Sequence, residues 1–130
     1  MTARDGIRNQ ELGRFGEEKA AEHLISEGSV ILERNFRCRL GEIDLIAEKN
    51  GTLIFTEVKL RKSDAWGNPF EFVTADKQRK LFLTAQYYLM KTGRTGCDAR
   101  FDVIGIRAPN GSDGKIEIEH LENAFSVSGR

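Results

Sequence analysis

The chain has only two cysteines in 130 residues, Cys38 and Cys97, far apart and without a CxxC pattern. That spacing excludes the usual zinc and redox motifs and predicts two reduced thiols. It has no apolar run of membrane-spanning length, and its first residues, MTARDGIRNQELG, lack the apolar stretch of a signal peptide. A cytoplasmic protein without a membrane partner is therefore expected. Charge of one sign is missing too: 20 Lys and Arg balance 20 Asp and Glu, so any basic surface for nucleic acid must be local. Nor is there an internal repeat, a low-complexity tract or a linker. One domain over residues 1–130 follows, with about 1–10 and 126–130 as flexible ends. What is present, 39% hydrophobic and 31% charged residues, suits a folded chain long enough to bury a core without disulfide or metal staples.

The pattern of breakers and apolar positions gives the order αβββαββ, an α/β fold with helices on a mixed sheet. A first helix fits about 9–27, with Gly28 as its stop. Strands follow in SVILERNFR and near 42–48 and 52–60. RKSDAWGNPFEF reads as a loop. Thr74 is placed to cap a second helix that runs to about Thr92 and ends at Gly93. RFDVIGIRA and KIEIEHL supply two more strands. A strand, a helix and a strand in succession favour parallel pairing across the crossover.

The segment GEIDLIAEKNGTLIFTEVKLR places a carboxylate among apolar residues on each of two strands. Asn50-Gly51 favours a two-residue type I′ turn, which sets Lys49 opposite Thr52, Asp44 opposite Glu57 and Glu42 opposite Lys59. Asp44, Glu57 and Lys59 then share a face with Ile46, Leu53 and Phe55. Directly opposed β-carbons lie roughly 4.5–5.5 Å apart, where like charges destabilise. A divalent cation such as Mg²⁺ compensates, since it takes oxygen ligands and needs only one or two carboxylates beside water and phosphate. Lys59 is placed to steer a phosphate or help activate a water. Ordinary solvated charge on a two-stranded ribbon is the plainer alternative, but the apolar company makes this an expensive place for acids without a role.

Helical periodicity puts Glu17 on the apolar sector of the first helix near Gly16, Ala20 and Leu24, as a third carboxylate or as a paired, snorkelling one. Lys77 and Gln78 flank the core-facing stripe of the second helix, within reach of the same site or as its polar rim.

Together GRFGEEKAAEHL, GEIDLIA, FTEVKLR, FEFVTADKQRKL, RFDVIGI and HLENAF resemble the YraN-type family of small uncharacterised bacterial proteins, from about Gly13 to Phe125. That family is similar to Holliday-junction resolvases of the restriction-endonuclease-like, PD-(D/E)xK type. The resemblance implies a restriction-endonuclease-like αβββαββ fold and a metal-dependent endonuclease acting on DNA, branched DNA included. Glu17 matches the helical acid, Asp44 the aspartate of the second strand, and Glu57 and Lys59 the E-x-K. Gln78 matches a polar residue of the following helix. Ile43 stands where the motif's proline is often found. The implied ligands of Mg²⁺ or Mn²⁺ are Asp44, Glu57, the Val58 carbonyl and Glu17, with no small-molecule cofactor. Phosphate contacts are expected from Arg34, Arg37, Arg39, Arg61, Lys62, Lys77, Arg79 and Lys80, and base stacking from Trp66. A resolvase would also require a homodimer. Two other classes fit the same residues: a non-catalytic nucleic-acid-binding module and a partner-docking domain.

Overall fold

The computed structural model describes the backbone of residues 3–61, 73–107 and 115–125, and the side chains of 13–60, 73–107 and 115–125. The elements are α1 (Ala3–Ser26), β1 (Val30–Cys38), β2 (Gly41–Lys49), β3 (Thr52–Arg61), α2 (Ala75–Lys91), β4 (Asp98–Arg107) and β5 (Glu117–Phe125). This is the αβββαββ order, arranged as a five-stranded mixed sheet between two helices, consistent with a restriction-endonuclease-like arrangement. The strands lie in the order β1-β2-β3-β4-β5. Only β3 and β4 are parallel, joined by the crossover through α2, while every other neighbour is antiparallel. Among the described residues no helix is long and apolar enough to cross a membrane.

Local chemistry sets the ends of the elements. α1 stops where the Gly28 N–H reaches the Ile25 carbonyl and the Ser29 N–H the Leu24 carbonyl, a Schellman pair. It begins six residues before the expected Asn9, because only Gly6 weakens the helix-compatible stretch between Ala3 and Asn9. The Thr74 side chain accepts from the Lys77 N–H and caps α2. The β2–β3 turn has φ of 52° at Asn50 and 83° at Gly51, the two positive values a type I′ turn requires. Its register agrees with the expectation from Lys49–Thr52 to Leu45–Thr56, where the ladder stops short of the expected Asp44–Glu57 and Glu42–Lys59 pairs.

The sheet's two faces carry separate cores. Ala20, Ala21 and Leu24 of α1 pack on Leu45, Ala47, Ile54, Ile104 and Ile106. Leu81, Ala85 and Tyr88 of α2 pack on Ile46, Leu53, Phe55 and Val103. Alternation along β3 therefore sends Glu57 and Lys59 to the α2 side with Phe55, and Val58 and Leu60 to the α1 side. α1 comes close to β3 at Gly16, where a β-carbon would stand 3.3 Å from that of Leu60.

Candidate active site

The hairpin ladder ends just before the two acids. In an unbroken ladder the Val58 N–H would donate to the Ile43 carbonyl, two residues beyond the Leu45–Thr56 pair. It donates instead to Asp44 Oδ2 at 2.8 Å. β2 stays bonded to β1 through Ile43–Phe36 and Glu42–Arg37, so it parts from β3 at this point. The opening is a cleft of about 180 Å³, lined by Gly41, Glu42, Asp44, Glu57, Lys77 and Lys80, with Leu81 at its base. Gly41 is required by proximity, because a β-carbon there would meet Thr84 Oγ1 of α2 at 2.7 Å.

Glu57 is buried and is held by two cations: Lys77 Nζ lies 2.5 Å and Lys59 Nζ 3.2 Å from its Oε2. Among the described residues no cation is ion-paired with Asp44, which Lys77 feels only as charge. Burial first, and the neighbouring Glu57 carboxylate second, push its carboxyl up to about 7, against the opposing Val58 N–H. Glu17 and Glu42 add smaller repulsions. Burial, then the adjacent Lys77, hold the Lys59 ammonium below its ordinary range, with Glu57 opposing. Lys77 is also pushed down by burial, but its bonds to Glu57 and Lys59 outweigh that and raise it. Glu57 is therefore held by charge, whereas the Asp44 carboxyl is raised by burial and by Glu57.

Asp44 and Glu57 suit a hard cation. Among the described residues no three His, Cys, Asp or Glu side chains gather as a metal cage, so an ion here would take these two carboxylates and complete its shell with water or phosphate oxygens. Glu17 is half-buried on α1 and is felt at Asp44 only as charge. Gln78 is not among the residues lining the cleft, and its amide donates to the Val73 carbonyl at 3.0 Å.

The expected phosphate contacts are dispersed. Arg34 pairs with Glu18 and Arg37 with Glu42, while Arg79 and Lys80 both pair with Asp76. Lys77 belongs to the Glu57 cluster, and Lys80 lines the cleft. Arg39 is exposed in the β1–β2 turn. Lys62, Trp66 and the Arg61 side chain lie outside the described residues. Sequence reasoning passed over Asp102, the aspartate of RFDVIGI. Its carboxylate accepts from His120 Nε2 at 2.7 Å, Arg100 Nε at 3.0 Å and the Asn123 N–H at 2.9 Å, and His120 Nδ1 meets His23 Nε2 at 3.0 Å. The signal that singled out Asp44, an acid among apolar strand residues, applied to Asp102 as well.

The model of the uncharacterised protein family UPF0102 matches residues 16–106, a stretch that contains Glu17, Asp44, Glu57, Lys59 and Gln78. The chain belongs to that family. This is the YraN-type family that the motifs resemble. A UPF0102 protein of Chlorobium chlorochromatii is 49% identical over 120 residues, 90% of this chain and 92% of that relative. One of Persephonella marina is 46% identical over 115 residues, 88% of this chain and 93% of the relative. One of Caldicellulosiruptor saccharolyticus is 43% identical over 119 residues, 92% of this chain and all of the relative. Among solved structures, Pyrococcus furiosus SfsA in complex with Ca²⁺ is similar at TM-score 0.37 and 13% identity, over 92% of this chain and 65% of that one.

Proposed function

We propose that this protein is a metal-dependent endonuclease that hydrolyses phosphodiester bonds in DNA, with branched DNA among its substrates. The observation that carries this reading is the proximity of Asp44 and Glu57 in one cleft where β2 parts from β3, with Lys59 paired to Glu57. Bound there, Mg²⁺ or Mn²⁺ would lower the pKa of a coordinated water and neutralise charge on the scissile phosphate. Asp44 and Glu57 would hold the ion, with the Val58 carbonyl as a further oxygen and Glu17 acting through water. Lys59, 3.2 Å from Glu57, would orient the attacking water or stabilise the charge that develops on the phosphate. The water's oxygen bonds to phosphorus, its proton passing to solvent, as the bond from phosphorus to the leaving oxygen breaks, and the leaving oxygen takes a proton from solvent. Lys77 and Lys80 at the rim would hold the phosphate in place.

One observation favours a second reading, a non-catalytic nucleic-acid-binding module: Lys59 and Lys77 already neutralise Glu57 without a metal. Incubation with labelled single-stranded, duplex, flap and four-way DNA, in Mg²⁺, Mn²⁺ or chelator, separates the two. The nuclease reading expects metal-dependent cleavage that is lost in Asp44→Ala, Glu57→Ala and Lys59→Ala. Binding without cleavage of any substrate would leave the module, and cleavage surviving in the alanine variants would betray a contaminant.

A further inference from the structure

Next to the acid cleft lies a second depression, of about 380 Å³, lined by Arg37, Cys38, Arg39, Leu40, Tyr87 and Lys91. The two are continuous in chain and in space. Arg39 and Leu40 form the turn of the β1–β2 hairpin, and the next residues, Gly41 and Glu42, line the acid cleft. On α2, Lys80 lines the first depression and Tyr87 the second. They are seven residues apart, hence on one helix face and about 10.5 Å apart along the axis. The close fit of Gly41 on Thr84 pins the hairpin to α2 between them, so the spacing is built in.

The chemistry of this depression is that of a nucleotide platform. Tyr87 is 40% exposed although its ring lies only 6.3 Å from Phe36 between centroids. It is supported beneath and open above. Arg39 and Lys91 are both exposed, and among the described residues neither has a carboxylate partner, while Arg37 is paired with Glu42 at 2.6 Å. A solvent-facing aromatic ring among unneutralised cations suits an unpaired base with its flanking phosphates, because stacking tolerates any base and the cations take the backbone.

We propose that this depression binds an unpaired DNA segment beside the scissile phosphate, with a base on Tyr87 and phosphates on Arg39 and Lys91. The inference deepens the nuclease reading and names a structural class of substrate: DNA with a single-stranded portion next to the cleavage point.

The test is binding by fluorescence anisotropy in chelator, where no cleavage occurs, of a single strand, a duplex with a single-stranded tail, and the blunt duplex. Tyr87→Ala should weaken binding of the first two by about five- to a hundredfold, while Tyr87→Phe keeps it and the blunt duplex is unaffected. Removing Arg39 and Lys91 together should flatten the log-log salt dependence of single-strand binding by about 1.4, or 0.7 per phosphate released. Both sites are exposed, and melting of each variant checks that it folds. An unchanged affinity in Tyr87→Ala, an equal loss for blunt duplex, or no single-strand binding by wild type overturns the proposal. Failure of the nuclease reading looks different: wild type binds the tailed DNA through Tyr87 but cuts nothing when metal is restored.

Discussion

Asp44 and Asp102 are both aspartates set among apolar residues of one sheet, and their surroundings drive them in opposite directions. Asp102 has a surplus of donors. Burial pushes its carboxyl up, but His120, Arg100 and the Asn123 N–H outweigh burial and hold it below the usual range. Asp44 has a deficit, with one backbone N–H against burial and a facing Glu57, and rises to about 7. The difference lies in what each carboxylate does for the fold. Residues 122–124 of β5 bulge opposite Asp102, and Asp102 takes up the Asn123 N–H that the bulge removes from the ladder. It is a staple. Asp44 sits where the ladder opens and takes up only the Val58 N–H, and on the proposed reading a cation supplies the positive charge it lacks.

The largest expected contrast is in stability. Asp102→Ala removes the buried partner of Arg100, His120 and the Asn123 N–H and leaves Arg100 only its longer pair with Glu122, which should cost about 3 kcal/mol and lower the midpoint of thermal unfolding by about 10 °C. Asp44→Ala in chelator should hold or raise stability, because it relieves repulsion with Glu57. Urea unfolding of both variants checks this, and equal losses would erase the distinction.

A second contrast is in pH dependence without metal. The raised carboxyl of Asp44 keeps its proton longer in the folded protein, so its contribution to stability is full below the ordinary carboxylate range and is lost as pH rises through about 7. Asp44→Asn should therefore match wild type near pH 4 and become the more stable of the two by pH 7–8. Asp102, whose carboxyl is lowered, should behave oppositely, its contribution present at neutral pH and lost in acid. A constant offset between Asp44→Asn and wild type across this range would break the comparison.

A smaller effect is expected at the histidines. With Asp102 ionised, His120 Nε2 carries the proton between them, and a single proton serves the contact from His120 Nδ1 to His23 Nε2. Two imidazolium rings would aim N–H groups at each other. Burial, then the facing His120, hold the His23 imidazole below its usual range, with Glu27 and Glu122 opposing. Its contribution to stability is present above the ordinary histidine range and is lost on acidification. The chain has only two histidines, so their ring resonances by NMR should show the contact breaking as stability falls. Smallest of all, Arg34→Ala should cost at most about 1 kcal/mol, since its pair with Glu18 is half-exposed on both sides.

Legibility followed sequence distance. The Asn50-Gly51 turn, the Thr74 cap and the stops at Gly28 and Gly93 are local chemistry, and each placed its element to within a residue or two. The face shared by Asp44, Glu57 and Lys59 followed from turn arithmetic. The parting of β2 from β3 did not, because it depends on β1 holding one strand and on Gly41 meeting α2. The network of Asp102, His120 and His23 joins β4, β5 and α1 across 97 positions and a bulge, so no local pattern encodes it. Lys77 was placed near the site, but its bond to Glu57 depends on the pitch of α2 over the sheet.

The central claim is that Asp44 and Glu57 form a cation site, and thermal unfolding in Mn²⁺ against chelator tests it most directly. Wild type should gain stability with metal concentration, by about 2.7 kcal/mol at a hundredfold excess over the dissociation constant, and Asp44→Asn and Glu57→Gln should not. No gain in wild type, or the same gain in both variants, would contradict it.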